Sequence, residues 1–165
     1  MSEANDFYLG RVTAPSSGQI EIETNAVITV SRQVQVASSP EAIWGLLINF
    51  AKWPDWNSKV TKIKVYGENC PGTVIRWKID HVKIKSVLQS VVPCKKLSWS
   101  GKAIGIKAIH TYQLKEANYA TLVESTVHWS GILPKLLTRH MKKRLEESVS
   151  YGLESLCRAS AEIVE

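Results

Sequence analysis

Cysteine is scarce: Cys70, Cys94 and Cys157 are the only three in 165 residues. Odd in number and without paired spacing, they spell no disulfide framework, zinc knuckle or dithiol redox motif, and reduced thiols are expected. Histidine is nearly as sparse. His81, His110, His128 and His140 form no ligand pair at helical spacing, and no cysteine cluster accompanies them, so no metal site is expected. The short segment Gly101 to Gly105 lacks the strand-to-helix context of a phosphate-cradling loop, and a nucleophile elbow is missing. No segment approaches the roughly 20 apolar residues of a membrane span. Met1 to Thr24 lacks the continuous apolar core of a secretion signal. The expectation is a soluble cytoplasmic protein without cofactor or integral membrane association.

Acidic residues are also in deficit, 15 against 21 Lys and Arg, for a net charge of +6. Such a balance suits phosphates, nucleic acid or an anionic membrane surface. The basic residues are spread over several strand-like segments and one helix face, without the aromatic motif of an RNA-binding sheet, so nucleic acid is not expected as a partner. The length suits one domain with one core. Residues 1–25, with Pro15, Ser16, Ser17 and Gly18, show no sustained periodicity and read as an N-terminal extension to a domain over 26–165.

Val27 to Ala37 alternates, with Ile28, Val30, Val34 and Val36 on one parity of a half-buried strand. Ser38, Ser39 and Pro40 open a helix carrying Ile43, Leu46, Leu47 and Phe50 at helical spacing; Trp53, Pro54 and Trp56 break it and begin a second short one. From Val60 to Trp129 six β-like runs follow, near 60–66, 73–79, 82–92, 96–101, 106–115 and 120–129, separated by turn residues. Connections so short imply antiparallel pairing. The last stretch, Pro134 to Ile163, reads as one long helix whose stripe of Leu137, Met141, Leu145, Val149, Gly152, Leu156, Ala159 and Ile163 faces the sheet.

This order, with Ser39-Pro40-Glu41-Ala42-Ile43-Trp44, Phe50 to Trp56, Leu97-Ser98-Trp99-Ser100-Gly101, Trp129-Ser130-Gly131 and Gly152-Leu153-Glu154-Ser155-Leu156, resembles the START-like helix-grip superfamily (SRPBCC). That group includes lipid-transfer domains, polyketide cyclases, the birch pollen allergen and plant abscisic acid receptors. The resemblance implies an α+β helix-grip fold: a curved seven-stranded antiparallel sheet around a long C-terminal helix, with two short helices after the first strand. It also implies a deep cavity between sheet and helix. Independently, Gly152 sits mid-helix on the buried stripe, where glycine costs about 1 kcal/mol relative to alanine, and Ser148 lies one turn before it. Small groups there leave room for a guest.

Several residues are candidates for lining such a cavity. Arg32 shares the apolar parity of its strand, which makes it either an anchor for a ligand carboxylate or carbonyl or the site of a bulge that turns it outward. Glu124 falls where the abscisic acid receptors carry a similar strand with a pocket-facing glutamate, and is expected to face inward as Arg32's partner or as a general base. The parity of Val123, Val127 and Trp129 opposes that. His110 and Tyr112 share a parity with Ile106, Ala108 and Leu114 and could supply an acid and a base for cyclisation. Trp77 and Trp99 offer flat rings for a cavity wall. Trp44, Trp53 and Trp56 read as structural.

Three functions fit these features. One is a binding protein for an apolar or amphipathic small molecule held by burial and oriented by a few polar groups. Another is a cofactor-free cyclase or aromatase in which the same cavity fixes a polyketide-like chain. The last is a peripheral membrane or partner-binding protein using its basic face. Ligand identity and oligomeric state are not encoded in any motif.

Overall fold

The computed structural model describes Val12 and residues 25–163; the expected extension, 1–25, lies almost wholly outside them. The first strand, β1 (Ile28–Val36), is followed by helix α1 (Pro40–Ile48), a 3₁₀ turn (Phe50–Lys52) and the single-turn α2 (Trp53–Trp56). Six strands follow: β2 (Val60–Tyr66), β3 (Val74–Ile79), β4 (Val82–Val92), β5 (Lys96–Ala103), β6 (Ile106–Ala117) and β7 (Ala120–Ser130). Two helices, α3 (Ile132–Leu136) and α4 (Thr138–Ile163), end the chain. The seven strands form one antiparallel sheet in the order β1-β7-β6-β5-β4-β3-β2.

Local chemistry explains the boundaries. Ser39 is the N-cap of α1, its Oγ accepting from Ala42 N at 3.2 Å, and Pro40 occupies the first turn, where a missing N–H leaves nothing unsatisfied. Two-residue loops join β3 to β4 and β6 to β7. At the second, Asn118 and Tyr119 both have positive φ (44° and 63°), the conformation that matches the twist of a tight hairpin.

Two expectations for the last helix are corrected. Leu137 adopts φ −122° and ψ 36°, and Thr138 Oγ1 donates to Pro134 O at 2.8 Å, so the stretch divides into α3 and a separate 26-residue α4. Leu137 and Ile163, at opposite ends of the expected stripe, are 50% and 54% exposed. Between them Met141, Leu145, Val149, Gly152, Leu156 and Ala159 are buried as the spacing predicts. The helix packs across β1, β7 and α1.

Register fixes which side chains share the concave face. Ser125 pairs with Arg32 and Tyr112; Val127 pairs with Val30 and His110; His110 pairs with Trp99, and Trp99 with Leu88. One step toward the β5–β6 hairpin come Trp129, Ala108, Gly101 and Ser86, then Ala103, Ile84 and Trp77. Large rings thus fill the middle of the concave face, and small side chains occupy much of its hairpin end.

Candidate functional site

Trp53, from the start of α2, reaches the centre of the concave face. Its ring lies 5.4 Å from Trp99, 5.2 Å from Phe50 and 5.6 Å, edge-on, from Trp77, while Nε1 donates to Leu47 O at 3.0 Å. Trp99 continues to His110 (4.5 Å between centroids) and His110 to Tyr112 (4.7 Å, interplanar angle 26°). Tyr112 closes the cluster, 5.9 Å from Trp99, and a Cβ placed on Gly152 would meet its hydroxyl at 3.6 Å. At Gly152 the nearest neighbour across the sheet is thus a tyrosine of the protein itself. Ser148, one turn earlier, is half-buried.

The polar groups inside are few and mutually engaged. His110 Nε2 and Ser125 Oγ lie 2.7 Å apart. Although His110 as a residue is only half-buried, its ring packs against both Trp99 and Tyr112, themselves 5.9 Å apart, and burial lowers its pKa from 6.5 to about 3. Burial likewise raises Tyr112 from 10 to about 12, opposed by a hydrogen bond with Ser125. Both groups are neutral near pH 7. Trp77 Nε1 donates to Ser86 Oγ at 3.0 Å.

Arg32 lies in an unbroken β1–β7 register, so no bulge displaces it. Its partner is Glu146 of α4 at 3.4 Å, and Nη1 donates to Ser31 O. Glu124 is turned the other way: it pairs with Gln33 and Gln113, one residue out of step with Val123 and Ser125, and belongs to the convex face. The inward orientation expected for it is corrected; the alternation of the strand outweighs a short local likeness. Of the expected residues, Trp77, Trp99, His110, Tyr112 and Gly152 converge, Arg32 and Ser148 flank them, and Glu124 does not join.

Two spaces adjoin the aromatic line. A gap bounded by Trp53, Ile75, Trp77, Ser86 and Trp99 is too narrow for water. A cavity of about 510 Å³, open to solvent, lies at the hairpin end beside Trp77, Ile84, Ala103 and Ile104, and Lys62, Arg76, Lys78, Lys83, Lys85 and Lys102 complete its lining. Sequence reading missed Ser125, Ile84 and Ala103; their strand parity was visible, but their depth along the sheet was not. Trp53, read as structural, packs at the centre of the concave face. Among the described residues no group of three His, Cys, Asp or Glu could hold a metal ion, and no helix is long and apolar enough to cross a membrane.

A curved antiparallel sheet gripping one long helix, with an apolar cavity at one end, defines the helix-grip class. Residues 27–161 match the model of the family described as polyketide cyclase / dehydrase and lipid transport, and the chain belongs to that family. No curated protein sequence matches it. Solved structures share the fold at low identity. A START superfamily protein from Mycobacterium smegmatis aligns with TM-score 0.69 and 17% identity over 82% of this chain and 98% of that one. The ZhuI aromatase/cyclase from Streptomyces sp. R1128 aligns with TM-score 0.75 and 13% identity over 83% and 95%. A hypothetical protein from Helicobacter pylori gives 0.76 and 14% over 90% and 99%. Fold and family together support hydrophobic-ligand binding or polyketide-cyclase-type function in general.

Proposed function

We propose that the protein binds an apolar or amphipathic small molecule, such as a lipid, polyketide or aromatic metabolite, in the cavity at the hairpin end of its sheet, without turning it over. The carrying observation is the cavity itself. At about 510 Å³ it falls within the usual range of small-molecule sites, roughly 300–1,000 Å³. Trp77, Ile84, Ala103 and Ile104 supply burial, worth about 25 cal/mol per Å² of apolar surface removed from water. Trp99, His110 and Tyr112 then support the cavity floor from behind Trp77 and Trp53.

Binding is favoured over cyclisation by the state of His110. A general base works best with a pKa near the working pH, whereas this imidazole is held at about 3, packed against Trp99 and Tyr112 and engaged at Nε2 by Ser125. Tyr112, near 12, is no readier to give up its proton. Native mass spectrometry of the purified chain identifies a co-purifying compound, and titration of that compound into Ala103→Trp tests its location. The filled variant is expected to lose at least about tenfold in affinity while keeping its melting temperature. Unchanged affinity would sink this placement, and turnover of a polyketide-like chain would sink the non-catalytic reading.

A further inference from the structure

The convex face carries a feature that register alone reveals. Lys64 pairs with Arg76, Arg76 with Lys85, Lys85 with Lys102, and Lys102 with Lys107. Five cations therefore stand side by side across five consecutive strands, roughly 4.8 Å apart along the row. Lys78 and Lys83, paired with each other, form a second row toward the hairpin tips. Like charges directly opposite are destabilising. Among the described residues none of the seven is ion-paired with an acid; the ion pairs found are Arg32–Glu146 and Lys52–Asp55.

Beyond these rows, at the same end of the sheet, the molecule exposes aliphatic side chains. Ile104 in the β5–β6 turn is 93% exposed, Ile132 67% and Leu136 75% in α3, and Leu137 50%. They form one projection, because Leu133 N of α3 donates to Gly105 O of that turn at 3.1 Å. Val82, at the neighbouring β3–β4 tip, is 42% exposed. Exposed Arg139, Lys142 and Lys143 follow on the first turns of α4.

We infer that this end is a docking surface for an anionic lipid bilayer. Lys85 lies three residues from Val82 and Lys102 two from Ile104, about 7–10 Å along a strand. That offset places the aliphatic tips at the acyl boundary when the cations sit among the phosphates, the depth to which interfacial segments bury, about 5–10 Å. Nucleic acid complements the charges but not the tips: its phosphates and base edges bury no aliphatic side chain, and the projection presents no ring for base stacking. The cavity opens beside Ile104 and shares Arg76, Lys78, Lys83, Lys85 and Lys102 with these rows, although the docking argument stands without a ligand in it.

Cosedimentation of the full chain with phosphatidylcholine vesicles, with and without phosphatidylglycerol, tests the inference. Binding is expected only to the anionic vesicles. Near a membrane surface each cation contributes roughly fivefold in affinity, so Lys85→Glu with Lys102→Glu lowers binding by about thirtyfold or more. Ile104→Asp with Leu136→Asp removes the fraction that survives raised salt. All four positions are exposed, and circular dichroism with thermal melting checks that both double variants fold. Three results overturn the assignment: no binding to anionic vesicles, vesicle binding unaltered in both variants, or retention of an oligonucleotide in place of vesicles with affinity unchanged by Ile104→Asp and Leu136→Asp. Dimerisation abolished by that pair, with no vesicle binding, assigns the projection to a second copy instead.

Discussion

Gly152 and Tyr112 show how one position serves another. A mid-helix glycine loses about 1 kcal/mol relative to alanine, and here the space it leaves receives a phenol from β6. A methyl at that point makes ordinary van der Waals contact at 3.6 Å, so Gly152→Ala should stabilise the protein by about 0.5–1 kcal/mol. Gly152→Leu must push Tyr112 aside and should destabilise by about 1–3 kcal/mol. Urea unfolding of the two variants measures both, and loss of stability in the alanine variant would refute this geometry. The sequence showed glycine on the buried stripe but not which side chain across the sheet would claim its space.

His110 gives a pH signature of its own. The free imidazole takes its proton near 6.5 and the buried one near 3, so between those values the unfolded chain binds the more protons and stability falls as pH drops. Above about 6.5 the group contributes no pH dependence. Melting temperatures of wild type and His110→Gln should diverge across that window, with the glutamine variant losing less on acidification. An NMR titration should find the His110 ring still neutral at about pH 5; a charged ring there would contradict the enclosed site.

At the scale of elements, the strands and α1 were legible because period-2 alternation and a Ser-Pro start are local signals. The break at Leu137 was not, since it depends on where α3 docks. Gly131, with φ +112°, brings its backbone against the β5–β6 turn, and a Cβ there would stand 2.6 Å from Gly105 O. That atom is backbone and has little freedom to yield. Gly131→Ala should therefore cost about 1–3 kcal/mol and loosen α3, read as a lower denaturation midpoint and faster amide exchange at Leu133. An unchanged midpoint would show that α3 docks without this contact. Glu124 carries the complementary lesson: its outward direction is present in the parity of Val123 and Val127, which outweighs a short local likeness to another family member. For Arg32, parity left an inward anchor and an outward bulge both open; the unbroken register removes the bulge, and Glu146 as its partner required knowing how α4 lies across β1.

For the whole molecule, the consequential property is a register that aligns charge. Composition gave a net charge of +6, but the bulges at Thr61/Lys64 and Leu88/Ser90 help decide which lysines stand opposite one another, and no local signal reveals their cumulative effect. Folding gathers Lys64, Arg76, Lys85, Lys102 and Lys107 into one row that the unfolded chain keeps apart, so their repulsion opposes the native state at low salt. Screening length falls from about 30 Å at 0.01 M salt to about 10 Å at 0.1 M, and this term should fade over that range. The urea midpoint should rise with sodium chloride; urea is the suitable denaturant because guanidinium would itself screen the row. Neutralising its centre by Lys85→Gln removes repulsion toward both Arg76 and Lys102, and should add roughly 0.5–1 kcal/mol at low salt while flattening the salt dependence. A midpoint that falls as salt is added would mean that attractive pairs dominate this face, and the cation row would then lose its standing as a surface held open for an anionic partner.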